Sequence, residues 1–193
     1  MLDNLKKYKV ILASNSPRRK ELLAGLGVAF EVRTLPDVDE SYPECLQGGD
    51  IPLYIAKKKA NAYRDTMVPD ELVITADTIV WLDGEVLGKP KDRNDASRMI
   101  HEMSGRTHEV FTGVCFTTVK RQHDFVVRTE VRFSQLNDEE ITYYVDNFQP
   151  LDKAGAYGVQ EWIGFIGVES IIGSYYNVMG LPVQRLYQEL QKV

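Results

Sequence analysis

An acidic residue, Asp77, stands inside an apolar stretch that has the composition of a buried strand. Residues 72–82 read LVITADTIVWL, rich in strand-forming residues, and Asp83-Gly84 after them favours a tight hairpin turn. A carboxylate buried there without a partner would cost several kcal/mol or take up a proton. Asp77 therefore needs a cation, a metal ion or a set of hydrogen-bond donors. It belongs either to an ion pair that serves only the fold or to a chemical site.

Lysines in two other parts of the sequence could supply that cation. Lys89 lies on the returning arm of the hairpin, between Gly88 and Pro90, which restrict the backbone around it. Lys59 falls in the middle of the apolar face of a helix predicted from about residue 51 to 64, with Asp50 as its cap. Lys59 could extend to the edge of that face or bind phosphate beside Asp77.

A second helix begins with cations in an unfavourable place. Ser16 fits the N-cap and Pro17 the first helical position, and Arg18, Arg19 and Lys20 follow in the first turn. Each cation costs roughly 0.3–1 kcal/mol beside the positive end of the helix dipole. Free N–H groups with arginine side chains alongside are typical of an anion site. The alternative is that the arginines face solvent or pair with the acidic residues Asp37, Asp39 and Glu40.

Short apolar segments alternate with helical patterns along the rest of the sequence. Strands are predicted at 8–13, 30–33, 72–82, 110–119, 125–133 and 165–172. Further helices are predicted after Asp92 or Asn94, from about 137 to 147, and after Pro182. Residues 152–160 are too rich in glycine and small residues for a helix interior, and such a segment lets the backbone approach a ligand closely.

The composition is that of an ordinary globular protein. The 193 residues, 44% hydrophobic and 26% charged, predict one domain spanning 1–193. The apolar runs are too short to cross a bilayer and the N-terminus lacks the layout of a signal peptide, which predicts a cytoplasmic protein with no membrane partner. A net charge of −5 argues against a nucleic-acid binder. Cys45 and Cys115 are predicted to be reduced and half-buried.

Five motifs together resemble those of the Maf family of nucleoside triphosphate pyrophosphatases. In order they are SNSPRR at 14–19, ADT at 76–78, GKP at 88–90, DKAGAYGVQ at 152–160 and GSYYNVMGLP at 173–182. Each motif is weak alone, whereas five in the family's order and spacing are specific. The resemblance implies an α/β fold of the inosine-triphosphatase (Ham1) type. That fold has a mixed twisted sheet flanked by helices, a central cleft and commonly a homodimer.

The resemblance also implies a reaction and the residues that perform it. A nucleoside triphosphate is hydrolysed between its α and β phosphates, giving monophosphate and pyrophosphate, with Mg²⁺ or Mn²⁺ as the divalent cation. Asp77 matches the family's catalytic carboxylate, assigned as proton acceptor, and it would share the metal with Glu40, for which Asp39 is a rival. The matching substrate-binding positions are Ser14, Arg19, Lys59 and Lys89.

Three positions match those that separate base preferences in this family, namely Arg18, Thr78 and Gln160. They resemble the dTTP/UTP branch, since the 7-methyl-GTP branch has a tryptophan and an acidic residue in place of the first two. A glutamine amide can accept from N3–H of uracil or thymine and donate to a ring carbonyl, and an arginine can donate to the other carbonyl. The sequence departs from the family pattern at Lys58 and at 161–163, which is less glycine-rich than in other members.

Two other functions are compatible with parts of this pattern. A nucleotide-binding regulator of septum formation would need the basic residues, but it would not need a carboxylate among the phosphates. A phosphatase that removes the γ-phosphate is the weaker alternative. The sequence has neither a Walker A loop nor a GxGxxG fingerprint, which argues against an ATPase or a dinucleotide enzyme. The choice among dTTP, UTP, CTP and modified pyrimidine triphosphates is left open.

Overall fold

The computed structural model describes residues 2–36 and 38–193 and contains a mixed sheet, as predicted. Its strands are β1 (Lys9–Leu12), β2 (Glu31–Val32), β3 (Glu71–Leu82), β4 (Glu85–Leu87), β5 (Thr107–Thr117), β6 (Gln122–Phe133) and β7 (Val168–Ile172). The order is β2-β1-β3-β5-β6-β7, with β4 paired to β3. β1 is parallel to β2 and β3, whereas β4 is antiparallel to β3 and β7 is antiparallel to β6.

The helices follow the predicted pattern in most places. They are α1 (Pro17–Gly25), α2 (Asp50–Asn61), α3 (Arg93–Met103), α4 (Asp138–Phe148), α5 (Trp162–Gly167), α6 (Tyr175–Val178) and α7 (Val183–Leu190). Short 3₁₀ turns occur at Asp3–Lys7, Arg64–Thr66 and Ala154–Ala156. The side chains of Ser16, Asp92 and Asn137 cap α1, α3 and α4. None of the helices in the described residues has the length and apolar character needed to cross a membrane.

Several local predictions were wrong. Asp50 is the first residue of α2, and Gly49, already in a helical conformation, occupies the cap position without a side-chain bond. Residues 165–167, predicted as strand, lie in α5. A Cβ on Gly164 would lie only 1.9 Å from the Val159 carbonyl oxygen, so the glycine allows a helical turn to pack where a strand was expected. Cys115 is buried and Cys45 is exposed, so neither is half-buried.

The chain divides into two compact units. The first contains the residues up to Asp77, Thr112–Val127 and Gly180–Val193; the second contains Thr78–Phe111 and Arg128–Met179. A single functional domain over 1–193 stays a prediction. The larger apolar core belongs to the second unit, where α3 and α4 pack with the ends of β3 and β6.

Helix α2 packs tightly within the first unit. A Cβ on Gly113 of β5 would lie 2.4 Å from the Leu53 backbone nitrogen, so only glycine permits this approach. The buried Thr75 hydroxyl of β3 donates to the Ala56 carbonyl at 2.7 Å, within the same helix. Backbone packing against β5 and this hydrogen bond to β3 therefore fix the helix that carries Lys59.

The last helix, α7, is held by a buried carboxylate, Glu189, whose side chain is 3% exposed. It accepts from Arg185 at 2.7 Å and from Lys192 at 2.8 Å, and His123 Nε2 lies 3.1 Å away. The hydrogen bond from Lys192, with that from Arg185, lowers the pKa of Glu189 to about 2 against the effect of burial. The ionised carboxylate therefore stabilises the folded chain.

Replacing Glu189 with Gln should lower the free energy of unfolding at about pH 7 by roughly 1.5–3 kcal/mol, the range for hydrogen bonds to a charged group. A depressed folded pKa means that the stabilisation is present above the ordinary value of 4.5 and is lost as pH falls toward about 2. Urea denaturation of both proteins should show a difference that shrinks across this range. Glu21→Gln, at an exposed position of α1, is the matched control. A difference independent of pH would contradict this account.

Candidate functional site

The carboxylate of Asp77 forms an ion pair with Lys59 in the first unit. Ile55, Ala56 and Tyr63 are buried on the apolar face of α2 and its extension, as predicted, and Lys59 extends from that face with its side chain 15% exposed. Lys59 Nζ lies 2.7 Å from Asp77 Oδ1. Of the two interpretations of Lys59, the structure therefore supports the one that places it beside Asp77.

Glu40 is the second acidic partner of Lys59. Its Oε1 lies 2.9 Å from Lys59 Nζ, so one ammonium group bridges two carboxylates. The rival acid, Asp39, instead pairs with Lys58 at 2.6 Å and accepts from the Ser41 backbone N–H at 2.8 Å. Glu40 rather than Asp39 thus belongs to the group around Asp77.

Arg19 of α1 is held by backbone carbonyls next to the same group. Its Nε donates to the Gly180 carbonyl at 2.8 Å, and its Nη1 donates to the Ala76 carbonyl at 3.0 Å and to the buried Ser14 hydroxyl at 3.4 Å. Arg18, the preceding residue, is partly exposed. Its positive charge repels that of Arg19 and so acts to lower the pKa of Arg19. Asp37, one predicted arginine partner, lies outside the described residues. We call Asp77, Lys59, Glu40, Arg19 and Ser14 the Asp77 cluster.

Burial and charge act against each other in the Asp77 cluster. Burial raises the pKa of Asp77 above its ordinary value, with a smaller contribution from the charge of Glu40, whereas Lys59 and Arg19 act to lower it. Burial also lowers the pKa of Arg19, and the negative charge of Asp77 opposes that effect. An arginine remains protonated throughout the usual pH range. The cluster therefore presents fixed positive charge beside a carboxylate that is a stronger base than an exposed aspartate.

The donor set of the Asp77 cluster fits a hard divalent cation. Carboxylate oxygens of Asp77 and Glu40 already converge on one positive group, the Lys59 ammonium. Mg²⁺ is commonly bound through one or two carboxylates together with substrate phosphates and water. Within residues 2–36 and 38–193, no group of three or more His, Cys, Asp or Glu side chains is arranged to hold a metal. A bound cation would take its other ligands from phosphate or water.

The remaining predicted residues belong to the second unit. Thr78 follows Asp77 in β3 and is partly buried, and Lys89 is exposed just after β4. The Gly155 N–H donates to the Gly88 carbonyl at 3.0 Å, which ties the segment that precedes Gln160 to the one that carries Lys89. The Oε1 atom of Gln160 is buried and has no hydrogen-bond partner among the described residues.

Sequence reasoning missed two features around these residues. The Gly180 carbonyl, which holds Arg19, was recognised only as part of a motif. Lys153 and Glu161, which flank 154–160, form an ion pair at 3.1 Å. Opposite charges at the two ends of a glycine-rich segment were the available signal for this second contact.

Comparison with solved structures supports the fold. A HAM1 protein from Coxiella burnetii aligns with a TM-score of 0.52 and 14% identity over 96% of this chain and 100% of that one. At this identity the likeness concerns the fold alone. It confirms the predicted mixed sheet flanked by helices.

Sequence comparisons are more specific. Proteins named dTTP/UTP pyrophosphatase from Phocaeicola vulgatus and Bacteroides thetaiotaomicron are each 65% identical over 193 residues, covering 100% of both chains. One from Parabacteroides distasonis is 60% identical over 99% of both chains. The family model described as Maf-like protein matches residues 9–193, which include the whole Asp77 cluster. By both comparisons this chain belongs to the Maf family.

Proposed function

We propose that this chain is a nucleoside triphosphate pyrophosphatase that hydrolyses dTTP and UTP to nucleoside monophosphate and pyrophosphate. The observation that carries the proposal is the ion pair of Asp77 with Lys59, with Arg19 held alongside. This arrangement combines a base of raised pKa with fixed cations. Relatives 65% identical over the full chain bear the name of this activity.

The basic residues of the first unit would bind the phosphates. Arg19 is fixed by the Ala76 and Gly180 carbonyls, so its guanidinium needs little reorganisation when a substrate binds. Lys59 would turn from the two carboxylates to phosphate oxygens and neutralise the charge that develops on the pyrophosphate leaving group. Substrate contacts by Arg18, Thr78, Lys89 and Gln160 stay predictions from the family resemblance.

Asp77 would orient or deprotonate the water that attacks the α-phosphorus in line. Its raised pKa favours proton acceptance. A carboxylate that ligates a metal is a weaker base, so the two roles of Asp77 compete. When bound, Mg²⁺ or Mn²⁺ would neutralise phosphate oxygens and polarise the phosphorus, with Asp77 and Glu40 as its protein ligands.

The regulator hypothesis receives less support from the geometry. A protein that only binds a triphosphate gains nothing from a carboxylate held among its phosphate-binding cations, because that carboxylate repels the ligand. The side chain of Asp77 is only 13% exposed and still lies 2.7 Å from Lys59. This position favours a chemical role. A homodimer and a cytoplasmic location stay predictions.

The purified chain, incubated with dTTP, UTP, CTP, GTP or 7-methyl-GTP in the presence of Mg²⁺ or Mn²⁺, should release pyrophosphate and monophosphate from dTTP and UTP. We expect kcat/KM for 7-methyl-GTP to be lower by at least about tenfold, because its cationic base suits an acidic pocket. Pyrophosphate and phosphate are assayed separately. Release of phosphate would indicate the γ-phosphatase, and tight binding without turnover under either metal would favour the regulator.

Replacing Asp77 with Asn should lower kcat by roughly 10²–10⁴-fold, the usual contribution of a positioned general base, while the fold is retained. Asp39→Asn is the matched control, because it makes the same change in an exposed acid that pairs with Lys58 instead. It should leave kcat within about threefold of the wild-type value, as expected for a surface pair. Full activity of Asp77→Asn, with thermal unfolding unchanged, would remove Asp77 from its role.

Replacing Lys59 with Met should tighten Mn²⁺ binding in the absence of nucleotide, because the ammonium that competes for Asp77 and Glu40 is gone. We expect the dissociation constant, measured from the electron paramagnetic resonance signal of free Mn²⁺, to fall by about threefold or more. Lys58→Met, which breaks the contacts of Lys58 with Asp39 and Ser41 but none in the Asp77 cluster, should leave it unchanged. Weaker Mn²⁺ binding by Lys59→Met would contradict the idea that the Lys59 ammonium and the metal ion compete for the same two carboxylates.

A further inference from the structure

A buried polar network in the second unit joins the two ends of residues 153–161. The Glu161 carboxylate accepts from the Tyr144 hydroxyl on one oxygen, and its other oxygen lies 3.1 Å from Lys153 Nζ. The Tyr144 hydroxyl in turn accepts from the Gly158 N–H at 3.0 Å. We call Tyr144, Glu161 and Lys153 the 153–161 network. It fixes the segment at its first residue, its last residue and Gly158 between them.

The two charges of the network are largely removed from water. The side chain of Lys153 is 9% exposed and that of Glu161 is 20% exposed. A buried ion pair is often no more stabilising than apolar residues of the same size, because both charges lose their hydration. What this ion pair does supply, together with the hydrogen bond from Tyr144 to Glu161, is a defined position for the backbone on either side. The network is therefore better understood as a positioning device than as a source of stability.

The backbone inside the segment is also restricted to one path. Ala156, with φ of 58°, adopts the left-handed conformation, which costs roughly 1–3 kcal/mol for a residue with a side chain. A Cβ on Gly155 would lie 2.7 Å from Val80 Cγ2, and one on Gly158 would lie 2.7 Å from Glu161 Cδ. Strain of this kind persists only where surrounding contacts determine the conformation. The network supplies such contacts.

Gln160 lies in the chain between two residues that these contacts hold directly. It lies between Gly158, held by Tyr144, and Glu161, held by Tyr144 and Lys153. Its buried Oε1 has no hydrogen-bond partner in residues 2–36 and 38–193. An unpaired buried acceptor costs about 1–3 kcal/mol, and a ligand N–H would remove that cost. N3 of uracil or thymine carries a hydrogen, whereas N3 of cytosine is an acceptor.

We infer that Tyr144, Glu161 and Lys153 are positioning residues that fix the Gln160 amide for an N3–H donor, and that they thereby set the preference for uracil or thymine over cytosine. The inference rests on the proposed function.

Steady-state kinetics with UTP and CTP test this role. Tyr144→Phe removes the donor to Glu161 and leaves the Gly158 N–H without its acceptor. We expect the UTP:CTP ratio of kcat/KM to fall by about tenfold, mainly through a higher KM for UTP, as one buried hydrogen bond is lost. Tyr143→Phe is the matched control at the preceding position of α4, where the side chain is exposed. It should keep the wild-type ratio.

Further variants keep the test decisive if Tyr144→Phe fails to fold. Glu161→Gln and Lys153→Met should each lower the same ratio, whereas a purely structural network would lower only the Tm. An unchanged ratio in folded network variants would overturn the inference and leave the pyrophosphatase standing. A wild-type enzyme that hydrolyses UTP and CTP equally well would also overturn the inference without affecting the proposed pyrophosphatase activity. A wild-type chain that releases no pyrophosphate would overturn the proposed function, and this inference with it.

Discussion

The ion pair between Asp77 and Lys59 is the interaction on which the rest of the candidate site depends. Burial alone would drive the Asp77 carboxylate to take up a proton, because a charge loses its hydration away from water. Lys59 at 2.7 Å and the guanidinium of Arg19 favour the charged form, although the pKa stays raised. The result is a carboxylate that stays basic yet remains among groups able to bind phosphate. A buried base and its cations thus stabilise each other before any substrate binds.

The packing of the first unit places these charges. Lys59 reaches Asp77 because α2 packs directly on Gly113 of β5 and accepts a hydrogen bond from Thr75 of β3. Arg19 is fixed because carbonyl groups from two distant segments, at Ala76 and Gly180, accept from its guanidinium. Both cations stand on helices, Arg19 on α1 and Lys59 on α2. Rigid elements therefore carry the electrostatic part of the site, as preorganised catalysis requires.

Local features of the sequence predicted local structure well. The strand around Asp77, the turn at Asp83-Gly84 and the Ser16 cap depend on neighbouring residues, and the structure confirms all three. The position of Lys59 in the 3.6-residue helical period was likewise enough to place it on the apolar face of α2. Short apolar runs are ambiguous between helix and strand. Residues 165–167 were therefore assigned wrongly, because the apolar pattern does not show the tight backbone turn that brings Gly164 against the Val159 carbonyl.

Long-range partners were beyond sequence reasoning. Arg19 and Gly180 are 161 residues apart, and nothing in the local pattern of either segment pairs them. Lys153 and Glu161 flank a segment with no regular period, so no helix or strand face could be counted to bring them together. The choice between Asp39 and Glu40 had the same difficulty, since both lie in one acidic loop. Only the folded backbone shows which carboxylate faces Lys59.

In the proposed reaction, water attacks the α-phosphorus rather than the β- or γ-phosphorus. Hydrolysis of UTP in ¹⁸O-labelled water, followed by mass spectrometry of both products, tests this directly. The account predicts one labelled oxygen in UMP and none in pyrophosphate, because the oxygen of the attacking water remains on the phosphorus that it attacks. Label in pyrophosphate or in inorganic phosphate would place the attack on another phosphorus and contradict the account.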